Sequence, residues 1–213
     1  HLGRFGARFF YAGRPCRREG AARVWLCDVS DLDSLRAFCA AFVAAGLPLR
    51  ALVHNAGALP QTRTTSAQGH EMTMALHVLG PVLMTELLLP ALSADAGRVV
   101  FVTSGGMYTQ ALPVDDPDFE DGEYTGAVAY ARSKRCGEEA ALLLAPGCAV
   151  ARVAVVYSGR PGAKPTFATQ VVEKLSRGEV VKAFSDQFVS TTLAASGAAM
   201  CLELLLETDY AGV

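Results

Sequence analysis

Residues 97–103 read Gly-Arg-Val-Val-Phe-Val-Thr, an almost unbroken apolar run that is followed by Ser104. Such a run is typical of a strand that is buried on both faces, as strands of parallel sheets are. Helix-like segments alternate with four other segments that predict strands, at 9–14, 22–27, 50–54 and 149–156. This alternation predicts an α/β fold, in which a doubly wound parallel sheet carries helices on both faces.

The predicted helices follow from apolar residues that recur every three or four positions. Asp31 stands where it would cap the first of them, and Gly46 where it would end it. Longer helices are predicted at 68–92, 127–144, 167–177 and 193–207. The apolar stretch at 76–92 is interrupted by His77, Glu86 and two prolines, which favours a buried helix over a membrane span.

Length and composition place the chain among ordinary globular domains. Its 213 residues suit one domain, 1–213, and 51% of them are hydrophobic, which is enough for a sizeable core. A formal net charge of −2 gives no indication of a nucleic-acid partner. Six cysteines without a Cys-x-x-Cys pair favour a reducing compartment and no structural metal. We therefore expect a cytoplasmic protein, with targeting left open because the chain does not begin with methionine.

Tyr130 and Lys134 lie four residues apart on a predicted helix, so their side chains share one face. An ammonium favours the phenolate, and a phenol that normally titrates near ~10 would then exchange a proton at lower pH. Alone, this spacing also fits a solvated tyrosine beside a surface lysine. With Ser104 after one strand and Asn55-Ala56-Gly57 after another, it predicts a proton relay that interconverts C=O and CH–OH beside a hydride carrier.

These residues resemble the short-chain dehydrogenase/reductases, whose fold is of the Rossmann type, over nearly the whole chain. Asn55-Ala56-Gly57 is similar to the motif after the family's fourth strand, and residues 98–104 to the fifth strand, which ends at the catalytic serine. Tyr130 and Lys134 match the catalytic pair. The resemblance implies an NAD(P)-dependent oxidoreductase acting on a small carbonyl or alcohol, in which Tyr130 is the acid or base, Lys134 lowers its pKa and Ser104 orients the substrate oxygen.

The same resemblance implies a set of cofactor-binding residues. Asp28 and Val29 are similar to the pair that contacts adenine, with a helix-capping role as the alternative for Asp28. Arg14 belongs to an arginine cluster after the first predicted strand, where it would bind the 2′-phosphate of NADP, and we favour NADP over NAD for this reason. The full implied set is Arg14, Asp28, Val29, Asn55, Ala56, Gly57, Tyr130 and Lys134.

Two branches of the family stay open. Residues 53–135, with the acidic insert around Asp118-Phe119-Glu120-Asp121, resemble the retinol-dehydrogenase-like reductases, and we expect the insert to be an exposed loop on the substrate side. Arg152 and Asp186-Gln187-Phe188 are similar to the extended branch, which includes dTDP-4-dehydrorhamnose reductase and the sugar epimerases. Pro161-Gly162 with Thr166 is instead similar to the classical motif that lines the nicotinamide.

The sequence departs from the family pattern in two places. His77 stands where the family has an asparagine, at the first position of His77-Val78-Leu79-Gly80, which corresponds to the family's Asn-x-x-Gly motif. The family's first strand and glycine-rich phosphate loop have no counterpart in the chain, so we expect residues 1–213 alone to bind dinucleotide poorly. Both departures leave a non-catalytic cofactor-binding protein as a further alternative, and a homodimer is implied by family analogy alone.

Overall fold

The computed structural model describes residues 7–12, 22–92, 97–112, 114–144, 148–158, 166–182, 190–207 and 210. Its largest sheet has three parallel strands in the order β3 (Ala51–His54), β4 (Arg98–Ser104) and β5 (Ala149–Val153). The apolar run thus forms a buried strand, as predicted, and it is the middle one of the three; Val100 within it is 1% exposed. Parallel pairing brings the carboxyl ends of the strands to one edge of the sheet. Ser104 and the loop that follows His54 lie at this edge.

Helices cover both faces of this sheet, which confirms the predicted α/β fold. Val99, Phe101 and Val150 point into a core that they share with the helices at 32–44, 80–88 and 126–144. Val100 and Ala151 point to the opposite face, where they pack against Leu205 of the last helix. The alternation follows from the two-residue period of a strand. The helices are α1 (Leu32–Ala44), α2 (Met72–Met74), α3 (Gly80–Leu88), α4 (Gly126–Leu144), α5 (Phe167–Ser176) and α6 (Ala194–Leu206).

The local signals that predicted α1 are confirmed. The Asp31 carboxylate accepts hydrogen bonds from the amides of Asp33 and Ser34, and so caps the first turn. Gly46 has a φ of 61°, a left-handed conformation that glycine adopts without strain. Both ends of this helix are therefore determined by residues within it or next to it.

The first two strands differ from the prediction of a wholly parallel sheet. β1 (Ala7–Ala12) and β2 (Ala22–Cys27) pair antiparallel, with Ala7 opposite Cys27 and Ala12 opposite Ala22. The physical reason is the length of the connection. Residues 13–21 are too few for the crossover of a dozen or more residues that parallel neighbours need, whereas a hairpin requires only a short link.

The strand predicted at 149–156 is also divided in two. β5 ends at Val153, and Val155 has a φ of 37°, which a β-branched residue rarely adopts and which interrupts an extended ladder. After it, β6 (Val156–Tyr157) pairs in parallel with β7 (Thr192–Leu193) in a small separate sheet. The chain therefore leaves the main sheet just past the edge at which the site is built.

The segment from Met72 to Ala91 is not a uniform α-helix. A π-helical turn, Ala75–Leu79, joins α2 to α3, and a 3₁₀ turn, Leu89–Ala91, ends the segment. Within the described ranges, Met72–Ala91 is long and apolar enough to cross a membrane, and 67% of the most apolar window is buried. A core helix has this degree of burial, as the prediction of a buried helix required.

His54, at the carboxyl end of β3, gives the fold a dependence on pH. Its Nε2 lies 2.9 Å from Thr85 Oγ1, and the Thr85 hydroxyl donates to the Pro81 carbonyl at 2.8 Å, so Nε2–H is the donor. Burial lowers the pKa of His54 from 6.5 to about 3. Below its ordinary pKa the unfolded chain therefore binds a proton that the folded chain does not.

We expect the free energy of unfolding to fall as pH falls from 6.5 towards 3, because the folded pKa of His54 is depressed. The slope from one such group is up to ~1.4 kcal/mol per pH unit. His54→Gln keeps a donor for Thr85 but cannot titrate, so the loss of stability between pH 6.5 and 5 should be shallower than in the wild type. Urea unfolding at several pH values measures both slopes, and parallel slopes would contradict the assignment.

Candidate active site

Ser104 and Tyr130 meet at the carboxyl edge of the sheet. Ser104 is the last residue of β4, and its Oγ accepts the Gly106 amide at 3.3 Å, which begins a 3₁₀ turn, Gly105–Thr109. Tyr130, in the second turn of α4, forms a side-chain hydrogen bond with Ser104. Both residues are partly exposed. The structure therefore brings together two of the three residues that the sequence predicted as catalytic.

Lys134 lies one turn after Tyr130 and is buried, with 8% of its surface exposed. Its Nζ lies 5.7 Å from the centroid of the Tyr130 ring and donates to the Val102 carbonyl at 3.1 Å. Burial lowers the pKa of Lys134 to about 8. The three predicted catalytic side chains thus share one site. The buried Lys134 ammonium lies next to the Tyr130 ring, and Ser104 lies next to the phenol.

The predicted direction of the Tyr130 pKa is wrong for this structure. Burial raises the pKa of Tyr130, and the hydrogen bond with Ser104 offsets only part of that rise. The sequence argument considered the ammonium of Lys134 and left out the cost of desolvating a phenolate. The phenol therefore rests in its protonated form at neutral pH.

The loop after β3 contacts the same site. Gly57 stands so near to it that a Cβ there would lie 3.3 Å from His77 Nε2 and 3.6 Å from Lys134 Nζ. Asn55 is exposed, and Ala56 packs against the core. The Ala58 amide donates to His77 Nε2 at 3.2 Å. The loop that the sequence predicted to line the cofactor therefore lies against Lys134 and His77.

His77 connects this loop to α4. The residue lies in the π-helical turn, and its Nδ1 is 2.8 Å from Ser133 Oγ. Ser133 Oγ in turn donates to the Tyr130 carbonyl at 2.9 Å. The His77 ring meets the Tyr130 ring edge to face, with centroids 5.3 Å apart. Sequence reasoning overlooked Ser133, although a serine three residues after Tyr130 can reach its carbonyl within a helix.

Asp28 and Val29 lie at the end of β2, in a turn that leads to α1. Asp28 Oδ1 accepts from the Ser30 amide at 3.0 Å and from the Ser30 hydroxyl at 2.7 Å, which closes the turn. Val29 is buried against Gly80. Asp31, and not Asp28, caps the helix, so the capping alternative for Asp28 is wrong, while its contact with adenine stays a prediction.

Several predicted positions lie outside the described residues. They are Arg14, which was assigned to the 2′-phosphate, and the two segments on which the choice of branch depended, Pro161-Gly162 and Asp186-Gln187-Phe188. Thr166 is described, and its side chain caps α5 in a capping box with Thr169. Thr166 therefore has a structural role at the start of that helix.

The acidic insert is fastened to the segment that precedes α2. Asp118 Oδ1 accepts the Glu71 amide at 2.8 Å, and Asp118 Oδ2 lies 3.1 Å from His70 Nδ1. Arg63 donates to the Asp118 carbonyl at 3.1 Å, and Tyr124 donates to the buried Glu71 carboxylate at 3.0 Å. The Asp118 carboxylate of the insert thus has protein partners. Within the described ranges, no three His, Cys, Asp or Glu side chains are grouped closely enough to hold a metal ion.

The turn after Ser104 is held from the other side by Arg152 of β5. Arg152 Nε donates to the buried Glu138 of α4 at 3.0 Å, and its guanidinium lies 4.9 Å from the centroid of the Tyr108 ring. Arg135 donates to the Gln110 carbonyl at 2.8 Å. Contacts from α4 and β5 therefore fix the segment that continues from the serine.

Both halves of the chain match known families. A family model described as short chain dehydrogenase matches residues 13–112, and one described as RmlD substrate binding domain matches residues 118–212. The first covers β2, β3 and β4 with the turn after Ser104, and the second covers Tyr130 and the chain after it up to residue 212. The division lies within the acidic insert region.

The chain is similar to curated dehydrogenases over part of their length. It is 38% identical over 112 residues to the polyprenol dehydrogenase of Mus musculus, which is 50% of this chain and 33% of that protein. It is 36% identical over 108 residues to retinol dehydrogenase 12 of Homo sapiens, which is 50% of this chain and 34% of that protein. The matched region thus spans about a third of the length of these relatives.

One solved structure shows the extent of the fold similarity. The dTDP-4-dehydrorhamnose reductase of Bacillus anthracis, in complex with NADP, matches at a TM-score of 0.58 with 15% sequence identity. The alignment covers 87% of this chain and 60% of the other. At that identity the likeness supports the Rossmann-type fold.

Proposed function

We propose that this chain belongs to the short-chain dehydrogenase/reductase superfamily, which its two family-model matches and its curated relatives support. We propose further that the full-length protein is an NAD(P)-dependent oxidoreductase that interconverts a carbonyl and an alcohol on a small molecule. The observation that carries the proposal is the buried Lys134 ammonium 5.7 Å from the centroid of the Tyr130 ring, with Ser104 next to the phenol. A phenol, a hydroxyl and a desolvated ammonium at the carboxyl edge of a parallel sheet are suited to moving a proton at a substrate oxygen.

The residues present fit a nicotinamide dinucleotide. The absence of a side chain at Gly57 leaves the loop backbone next to Lys134, where a Cβ would stand 3.6 Å from Nζ. A lysine ammonium has three donors, and the Val102 carbonyl accepts one of them, so the others suit ribose hydroxyls. We propose NADP, with NAD as the alternative, and the dinucleotide supplies or removes the hydride when it is bound. Asn55, Ala56 and Gly57 would line it.

In reduction, Tyr130 donates its phenolic proton to the substrate oxygen as the carbonyl becomes an alcohol. Burial keeps the pKa of Tyr130 above its ordinary value, so the proton donor is present at neutral pH. Ser104 holds the substrate oxygen through its hydroxyl. Lys134 stabilises the phenolate that remains, since its positive charge lies beneath the ring in a desolvated site. In oxidation the same proton moves in the opposite direction.

A second candidate is a reductase or epimerase of nucleotide sugars. The match of residues 118–212 to the RmlD substrate binding domain supports it, because this half includes the insert and every helix after Tyr130. The two candidates share Ser104, Tyr130 and Lys134, so they differ in the substrate and not in the proton relay.

A homodimer and a cytoplasmic location also remain predictions.

A substrate screen tests the proposal and separates the candidates. The full-length protein is assayed with NADPH and with NADH against retinoid and simple aldehydes and against 4-keto deoxysugar nucleotides, by loss of reduced-cofactor absorbance. Turnover of either class supports an oxidoreductase, and the preferred class decides the branch. Saturable cofactor binding without turnover of any member would favour the non-catalytic alternative.

A further inference from the structure

We propose that His77 is a positioning residue for the reaction: its two ring nitrogens join the loop Asn55–Ala58 to the helix that carries Tyr130 and Lys134, through the Ala58 amide on one side and Ser133 on the other. This pair of contacts is called the His77 bridge below. The proposal rests on the proposed function, since it assigns the loop to the cofactor and the helix to the proton relay. His77 itself is not a proton donor in it.

The directions of the hydrogen bonds follow from the partners. The Ala58 amide can only donate, so His77 Nε2 accepts at 3.2 Å and carries no proton. The neutral ring then has its proton on Nδ1, which donates to Ser133 Oγ at 2.8 Å. The Ser133 hydroxyl is free to donate to the Tyr130 carbonyl at 2.9 Å. All three bonds are consistent with one tautomer, so the bridge has a single orientation.

The surroundings keep that tautomer neutral. His77 is 4% exposed, and burial together with the positive charge of Lys134 holds its pKa well below the ordinary value. The groups that face the ring are the Tyr130 phenol and the Lys134 ammonium from α4, and the Ala58 amide from the loop. A charged imidazolium would need to give up its acceptor at Nε2, which would break the contact to Ala58.

Two glycines let the loop and α4 approach His77 closely enough for the His77 bridge. Gly137 of α4 stands so close that a Cβ would lie 2.7 Å from the His77 carbonyl, and Gly57 leaves room for the ring on the loop side. Asparagine, the usual residue here in the resembling family, has one polar side-chain amide at the distance of Nδ1 from the backbone. It is too short to reach the position of Nε2, so histidine makes a contact to the loop that asparagine cannot make.

Two substitutions separate the ends of the bridge. His77→Asn keeps a donor for Ser133 and leaves the half-buried Ala58 amide without its acceptor, so the loop should loosen. We expect the Kd of the full-length protein for NADPH to rise about 10-fold with kcat changed about threefold or less. His77→Gln keeps an acceptor for Ala58 and loses Ser133, so kcat should fall about 10-fold with Kd changed about threefold or less.

The matched control and the coupling test distinguish positioning from general weakening. Thr85→Val removes the partner of the other buried imidazole, His54, and should lower stability without either kinetic change. Ser133→Ala should reproduce the kcat loss of His77→Gln, and the double variant should lose no more than either alone. If His77→Asn and His77→Gln change Kd and kcat alike, or if neither changes them, the proposal is overturned.

A spectroscopic readout is independent of turnover. In protein with ¹⁵N-labelled histidine, the four histidines are few enough that the loss of one signal set in His77→Asn assigns His77. We expect a protonated Nδ1 and an unprotonated Nε2 that do not titrate as the pH falls from 8 through ~6.5, the ordinary pKa of histidine, because burial and Lys134 hold the pKa of His77 well below that value. A proton on Nε2 would overturn the bridge even in an active enzyme. The expected tautomer with no turnover would instead retain the bridge and reject the proposed function.

Discussion

Replacing Tyr130 with phenylalanine is expected to lower kcat of the full-length protein by about 10³-fold, because general acid–base catalysis contributes roughly 10²–10⁴-fold. Phenylalanine keeps the ring that meets His77 edge to face and lies above Lys134, so the site should retain its shape. The variant lacks only the hydroxyl that bonds Ser104 and gives up the proton. Initial rates at saturating cofactor and substrate measure the effect.

A tyrosine outside the relay provides the matched control. Tyr124 lies in the acidic insert, and its hydroxyl donates to the buried Glu71 carboxylate at 3.0 Å. Tyr124→Phe removes this hydroxyl. That variant should lose stability, by about 1–3 kcal/mol for a buried acceptor left without a partner, while kcat changes little. The affinity for NADPH should stay within about threefold in both variants. Equal losses of kcat in the two variants would contradict the role of Tyr130.

The sequence predicted the parts of the site that depend on local signals. The run at 97–103 predicted a buried strand, and Asp31 with Gly46 predicted both ends of α1, because periodicity and capping operate within a few residues. Ser104 and Tyr130 were placed in one site through the resemblance to the short-chain dehydrogenase/reductases, whose catalytic serine and tyrosine they match.

What the sequence did not predict depends on contacts between distant segments. The sequence predicted that Asp118 lies in an exposed loop, yet its carboxylate has partners at His70 and Glu71, which are 48 and 47 residues away. The rise of the Tyr130 pKa likewise results from burial, which becomes known only when the fold does.

The π-helical turn shows how one local irregularity positions several residues of the site. It places His77 between the loop and α4, where the ring reaches Ala58 and Ser133 together. π-turns of this kind occur frequently at functional sites, since the extra residue re-aims the side chains around it. Gly80, the first residue of α3, directly follows the π-helical turn. The position of Gly80 therefore limits where the turn can lie.

Gly80→Ala is expected to destabilise the fold strongly, because the backbone around Gly80 leaves no room for a methyl group. A Cβ at Gly80 would stand 2.2 Å from the Val29 carbonyl oxygen, 2.7 Å from Val29 Cγ1 and 3.1 Å from the Ala75 carbonyl. Val29 is 2% exposed and leads directly into α1, so its backbone cannot move aside without displacing that helix. We expect the free energy of unfolding to fall by about 3 kcal/mol or more, and soluble yield to fall with it.

Helix propensity makes this a demanding test, because alanine is favoured over glycine within a helix by about 1 kcal/mol. Gly197→Ala in α6 is the control: its Cβ would meet only side-chain atoms, Thr192 Cγ2 at 3.3 Å and Val153 Cγ1 at 3.9 Å. That variant should stay within about 1 kcal/mol of the wild type. Urea unfolding of the three proteins compares them directly. If Gly80→Ala were as stable as Gly197→Ala, the close approach of the turn after β2 to α3 would be wrong, and with it the position of the π-helical turn that carries His77.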